Sequence, residues 1–151
     1  ANALIDNVVH TFKIKAEKYG GSIETKLDAE DPIVNVDEMH FTNVIFNLLD
    51  NAVKYRKEDT PLLLKVNTRN IADDKIQITI SDNGIGIKKE DLKRIFEKFY
   101  RVSTGNRHDV KGFGLGLAYV HKMITELKGQ IEVTSEYNKG SDFIITLPLI
   151  K

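Results

Sequence analysis

Leu4, Ile5, Val8, Val9, Phe12 and Ala16 recur at helical spacing, which predicts an amphipathic helix over residues 3–18. Gly20-Gly21 ends it. Ile23 to Leu27 alternates as a strand does, and Ile33-Val34-Asn35-Val36 after Pro32 reads as a second short extended piece. Asp37 is placed to cap a helix over about 38–56, with Phe41, Val44, Ile45, Leu48, Leu49 and Ala52 on its apolar face. Residues 62–71 and 75–82 read as strands joined by a tight Ala72-Asp73-Asp74 turn. In the second, Ile76, Ile78 and Ile80 face one way and Gln77, Thr79 and Ser81 the other, the signature of a sheet covered on one face. A short helix is expected over 89–97, a polar aperiodic loop over 100–112, and a helix over about 115–128 closed by Gly129. Strands over 131–135 and 143–147 form a terminal hairpin around Asn138-Lys139-Gly140.

Strands that run mostly as adjacent hairpins, with helices between the groups, predict an α+β two-layer sandwich. The expected sheet has about five strands, mixed but mostly antiparallel, with three helices on one face. The 151 residues contain no repeat or linker and read as one domain with a real core. Lys plus Arg equals Asp plus Glu at 22 each, so no net basic field exists to attract nucleic acid or a membrane surface. The chain has no cysteine, which removes disulfides and thiolate metal sites. No apolar run is long enough for a membrane-spanning helix. The chain has no initiator Met and starts within a helical pattern, so it reads as a piece of something larger.

Asn43, Asn47, Asn51 and Lys54 share one stripe of the second helix. A solvated polar face is one reading. Asn, however, is a poorer helix former than the Glu, Lys, Arg and Gln usual at such positions. Three in register suggest a demand for amide oxygens, which are hard neutral ligands suited to Mg²⁺ that takes its other oxygens from nucleotide phosphates and water. Lys54 is placed to balance phosphate charge, and Tyr55 to edge the core or wall a base or ribose.

Asp82-Asn83-Gly84-Ile85-Gly86 follows a cleanly alternating strand. An ionised carboxylate only accepts hydrogen bonds. Asp82 would therefore accept from the exocyclic amine of adenine and reject guanine, which presents a carbonyl there. An ordinary strand-end turn is the plainer alternative. Lys111-Gly112-Phe113-Gly114-Leu115-Gly116 opens a helix, where backbone N–H groups form an anion site and glycine lets phosphate approach. Its glycines fit neither the dinucleotide fingerprint nor the P-loop, and a flexible hinge is its plainer alternative.

Together these segments resemble the boxes of sensor histidine kinases. Asn47-Leu-Leu-Asp-Asn51-Ala-Val-Lys54-Tyr55 is similar to the N box and Asp82-Asn-Gly84-Ile-Gly86 to the G1 box. Ile95-Phe96-Glu97-Lys98-Phe99-Tyr100-Arg101 is similar to the F box, and Gly112-Phe113-Gly114-Leu115-Gly116-Leu117 to the G2 box. Asn138-Lys-Gly140-Ser-Asp-Phe143 resembles the last glycine box. The resemblance covers essentially the whole chain in the right order. It implies the Bergerat ATP-binding sandwich, with ATP and Mg²⁺ as ligands. By position it implies Asn51 as a Mg²⁺ ligand with Asn47 beside it, Lys54 on phosphate, Tyr55 at the ribose or base and Asp82 on the adenine amine. Gly84, Gly86, Ile87, Tyr100, Lys111, Phe113 and Leu115 would line the site. Arg101 would reach the terminal phosphates, and residues about 101–112 would form an ATP lid, with Gly112, Gly114 and Gly116 as its hinge.

The chain departs from a full kinase in having no dimerisation helices and no phosphoacceptor motif. His10 has no adjacent carboxylate to act as a base, His40 opens the second helix, His108 sits in the lid loop and His121 lies on the helix after it, each more often a surface or packing histidine than a nucleophile. Hydrolytic relatives carry Glu where this chain has Asn47, and an amide has no usable basicity for activating water. Asp50 points roughly 100° around the helix from Asn51. The expected activity is therefore that of a protein-histidine kinase catalytic fragment, donating the γ-phosphate to a histidine on a separate dimerisation domain, with a response regulator receiver domain downstream. Alternatives are an ATPase of the same fold and a nucleotide-responsive binding module that transfers nothing. The resemblance also implies a cytoplasmic domain of a membrane-bound bacterial sensor, without direct membrane or nucleic-acid contact, and a monomeric fragment.

Overall fold

The computed structural model describes residues 2–18, 20–28, 38–57, 60–72, 74–92, 95–96 and 116–148. The elements run α1 (Asn2–Lys18), β1 (Ser22–Leu27), α2 (Glu38–Lys54), β2 (Leu63–Ala72), β3 (Lys75–Asp82), α3 (Lys89–Leu92), α4 (Gly116–Glu126), β4 (Gln130–Glu136) and β5 (Gly140–Pro148). The strands form one sheet in the order β1-β2-β3-β5-β4. Only the β1–β2 pair is parallel; β2–β3, β3–β5 and β4–β5 are antiparallel. This is the mixed five-stranded α+β sandwich that the pattern predicts.

Alternation along β3 decides which face is covered. Ile76, Ile78 and Ile80 are buried, as are Leu64 and Val66 of β2 and Phe143, Ile145 and Leu147 of β5. They meet Ile5, Val8, Val9 and Phe12 of α1, Phe41, Val44, Ile45, Leu48 and Leu49 of α2, and Val120 and Ile124 of α4 in one hydrophobic cluster. Each such side chain contributes about 1.5–3 kcal/mol by leaving water. The intervening positions, Lys65, Asn67 and Arg69 on β2 and Glu132 and Thr134 on β4, lie on the opposite face and are exposed.

Three boundaries differ from the pattern. α2 stops at Lys54 rather than near 56. Arg56 N–H turns back to the Val53 carbonyl at 3.3 Å, and the Tyr55 carbonyl leaves the helix to accept from Ile85 N–H at 3.0 Å. α3 has four residues, and Ile95-Phe96 is a turn rather than a continuation of that helix. α4 ends at Glu126. There Gly129 N–H reaches the Ile124 carbonyl at 2.9 Å and Lys128 N–H the Thr125 carbonyl at 3.0 Å. This is a Schellman closure in which Lys128, at φ 63°, takes the left-handed position and Gly129 follows it. The extended piece expected at 33–36, the Asp37 cap and the loop at 100–112 lie outside the described residues.

Candidate functional site

The carboxyl end of β3 puts Asp82 in phase with Ile76, Ile78 and Ile80, hence toward the helix layer. Its Oδ1 accepts from Gly84 N–H at 2.8 Å, and its carboxylate also accepts from the backbone N–H of Ser141. Both bonds favour the ionised form. Burial outweighs them, aided by the nearby Asp142 carboxylate, and raises the Asp82 pKa from 3.8 to about 6. Asp82 therefore remains mostly ionised at neutral pH, and a donor reaching it meets a partly desolvated carboxylate.

The turn after Asp82 is clamped from three sides. Ile85 N–H donates to the Tyr55 carbonyl at 3.0 Å, which joins the end of α2 to the turn. A Cβ on Gly84 would lie 2.6 Å from that same oxygen and 2.9 Å from Asp82 Oδ1. Gly86 has φ 73°, and a Cβ there would lie 2.2 Å from the Glu136 carbonyl oxygen. The Ile85 carbonyl in turn accepts from Asn138 N–H at 2.6 Å, in the β4–β5 turn. Lys57 Nζ donates to the Asn138 carbonyl from the α2 side. Asn83 closes the third side: its Oδ1 accepts from Leu63 N–H at 2.9 Å and its Nδ2 donates to the Pro61 carbonyl at 3.0 Å.

Behind the turn lie contacts that the sequence reading missed. Ile87 N–H donates to Ser135 Oγ at 2.7 Å, Ser135 Oγ–H donates to the Gly140 carbonyl at 2.9 Å, and the Ser135 and Ser141 hydroxyl oxygens are 2.7 Å apart. Ile87, expected as a lining residue, is buried in the core cluster. A shallow recess at the hairpin end is bordered by Asp82, Ser135 and Ser141 together with Thr134, Glu136, Lys139, Gly140 and Asp142.

On α2 the expected amide stripe is present. Asn47 and Asn51 are half-buried and Asn43 is exposed. Asn47 Nδ2 donates to the Asn43 carbonyl at 2.8 Å, which turns its Oδ1 away from its own helix. Lys54 Nζ lies 3.1 Å from Asp50 Oδ2, one turn back. Such a partly exposed pair contributes about 0.3–0.5 kcal/mol. Tyr55 is half-buried where α2 meets the turn. The structure thus joins the Lys54-Tyr55 end of α2 to the Asp82–Gly86 turn. Gly116 opens α4. Tyr100, Arg101, Lys111, Gly112, Phe113, Gly114 and Leu115 lie outside the described residues.

His40 and His121 take structural positions. His40 Nδ1 is 2.8 Å from Tyr119 Oη, linking the first turns of α2 and α4. The His121 ring stacks on Phe96 with centroids 5.3 Å apart. His10 is exposed, and His108 lies outside the described residues. Among the described residues, no three His, Asp or Glu side chains converge to hold a metal. No helix among them is long and apolar enough to cross a membrane. The α2 amides fit a cation that brings most of its own ligands as water and phosphate.

Residues 36–151 match the family described as histidine kinase-, DNA gyrase B- and HSP90-like ATPase. Across all 151 residues the chain is 60% identical to the sensor protein RprX of Bacteroides fragilis, and it spans 29% of that protein's length. The nucleotide-free catalytic domain of the histidine kinase ThkA superposes over 97% of this chain and 92% of its own, with a TM-score of 0.81 and 28% identity. Full-length ShkA in complex with AMPPNP superposes over 97% of this chain and 29% of its own, with a TM-score of 0.81 and 25% identity.

Proposed function

The chain belongs to the histidine kinase-, DNA gyrase B- and HSP90-like ATPase family, among the catalytic domains of sensor histidine kinases, and from that premise we propose that it holds ATP with Mg²⁺ and donates the γ-phosphate to a histidine on a separate helical dimerisation domain. The observation that carries this reading is the geometry at Asp82. Its carboxylate is fixed by the N–H groups of Gly84 and Ser141, sits beside the end of α2, and accepts hydrogen bonds only. A base with an exocyclic amine satisfies it, whereas a carbonyl at that position leaves two acceptors facing each other. The AMPPNP bound by ShkA is an adenine nucleotide and supports the same reading.

Each other residue then has a role that its chemistry allows. Asn51 and Asn47 would offer neutral amide oxygens to Mg²⁺, which supplies electrostatic stabilisation of the phosphates when bound. Lys54 exchanges Asp50 for a phosphate oxygen, and Tyr55 borders the base or ribose. Arg101 neutralises charge on the terminal phosphates as it develops. Gly112, Gly114 and Gly116 form the hinge of a lid over about 101–112, and Gly84, Gly86, Ile87, Tyr100, Lys111, Phe113 and Leu115 line the pocket. We read residues 1–151 as one such domain.

Transfer rather than hydrolysis follows from Asn47. Its amide cannot take a proton from water, and Asp50 points roughly 100° around the helix from Asn51. The acceptor histidine and its base then come from the dimerisation domain, with a response regulator receiver domain downstream. The parent is a bacterial membrane sensor with this domain on its cytoplasmic side. The first experiment is a thermal melt. ATP–Mg²⁺ is expected to raise the melting temperature of the wild type, and the rise is expected to vanish in Asp82→Asn. An equal rise in both proteins would overturn the assignment of the pocket.

A further inference from the structure

Asp82, Ser141 and Ser135 are directly opposed residues on the neighbouring strands β3, β5 and β4. The equivalent row one step further in is Ile80, Phe143 and Val133, so the polar row sits on the helix-covered side, at the border of the hydrophobic layer. Ser141 is only 7% exposed. Here the hydroxyl protons can be counted. The Gly140 carbonyl only accepts, so the Ser135 proton lies on that 2.9 Å contact. Ile87 N–H only donates, so it occupies one lone pair of Ser135 Oγ at 2.7 Å. The remaining 2.7 Å contact, between the two serine oxygens, therefore takes its proton from Ser141. Ser135 is then saturated, with one bond donated and two accepted. Ser141 has its only proton turned toward β4, and its lone pairs remain for the space beside Asp82.

We propose that Ser135 is a specificity-determining positioning residue: by accepting the Ser141 proton it makes the Ser141 hydroxyl a pure acceptor next to the Asp82 carboxylate, so that this edge of the pocket welcomes an amino group and repels a carbonyl. The inference rests on the reading that Asp82 holds the purine. It adds that selectivity depends on a residue that itself makes no contact with the base. Without the Ser135 hydroxyl, the Ser141 proton is free to rotate toward the ligand and donate to a carbonyl, which relaxes the discrimination.

Adenosine and inosine triphosphates differ in this respect: a 6-amino group is replaced by a 6-carbonyl, with a proton on the neighbouring ring nitrogen. Affinities for both, measured on wild type, Ser135→Ala and Ser135→Thr, test the proposal. The ratio favouring adenosine triphosphate is expected to fall about tenfold in Ser135→Ala, the worth of one hydrogen bond, and to stay near wild type in Ser135→Thr, which keeps the hydroxyl. A merely structural role would weaken both nucleotides together and leave the ratio unchanged, which would overturn the proposal. Should Ser135→Ala fail to fold, Ser141→Ala removes the acceptor while leaving Ser135 its bonds to Ile87 and Gly140. The ratio is expected to fall there too, and an unchanged ratio overturns the proposal equally. If wild type itself prefers neither nucleotide, the adenine reading of Asp82 fails and takes this inference with it. A wild-type preference that survives Ser135→Ala undiminished refutes the inference alone.

Discussion

The raised pKa of Asp82 makes nucleotide affinity depend on pH with a definite sign. The carboxyl titrates at about 6 in the free protein, because burial outweighs the N–H groups of Gly84 and Ser141. Only the ionised form accepts an amine without a competing proton. Binding therefore draws on the ionised fraction, which is nearly complete at pH 7.5 and roughly one part in eleven at pH 5, given a pKa near 6. Acidification over that span is expected to weaken the base-binding component about tenfold. The assay is a titration of the wild-type protein with ATP–Mg²⁺ in half-unit pH steps. The same series with adenosine, which has no titrating phosphate, separates the carboxyl from the ligand's own ionisation. An adenosine affinity that is flat from pH 7.5 to 5, or that rises on acidification, would refute the assignment of this carboxylate to the base.

Stability without nucleotide runs the other way. The folded pKa of Asp82 lies above 3.8, so its stabilising contribution is complete below that value and is lost as pH rises through about 6. The difference is worth up to about 3 kcal/mol; denaturant melts at pH 4 and 7 should show it in wild type and lose it in Asp82→Asn. Gly86→Ala adds a Cβ 2.2 Å from the Glu136 carbonyl oxygen at a φ of 73°. It should destabilise the fold by about 2 kcal/mol or more, read as a drop in melting temperature of several degrees. Tyr119→Phe removes only the hydroxyl bonded to His40 and should cost about 1 kcal/mol in a denaturant melt. Asn47→Glu places a carboxylate where hydrolytic relatives have one and should raise phosphate release from ATP above the wild-type background, measured by a phosphate-release assay.

Much of this was legible in the chain. The alternation of Ile76, Ile78 and Ile80 gave the covered face, and the helical spacing from Phe41 to Ala52 gave the orientation of α2, because burial is periodic and periodicity is local. The Asp82 turn could be found from its glycines. What fixes that turn could not be found, since the Tyr55 carbonyl, the Asn138 N–H and the Ser135 hydroxyl come from distant segments. Ser135 looks like an ordinary strand residue and Ser141 like part of the hairpin turn until β5 is seen inserted between β3 and β4. A strand order that differs from chain order leaves no local signal. The end of α2 differs for the same reason: Tyr55 continues the helical pattern, and its long-range bond to Ile85, together with the turn of Arg56 N–H back to Val53, ends the helix. At α4, the lysine before Gly129 adopts the left-handed conformation that propensity assigns to the glycine.

The central claim is that this chain holds ATP for transfer to a histidine it does not itself carry. The most direct measurement incubates it with γ-labelled ATP and Mg²⁺, alone and with a separate helical domain bearing a sensor-kinase acceptor histidine. The account predicts acid-labile, base-stable label on the added domain, none on this chain, and little free phosphate. Stable label on the chain itself, or steady phosphate release with an unlabelled acceptor domain, would contradict it.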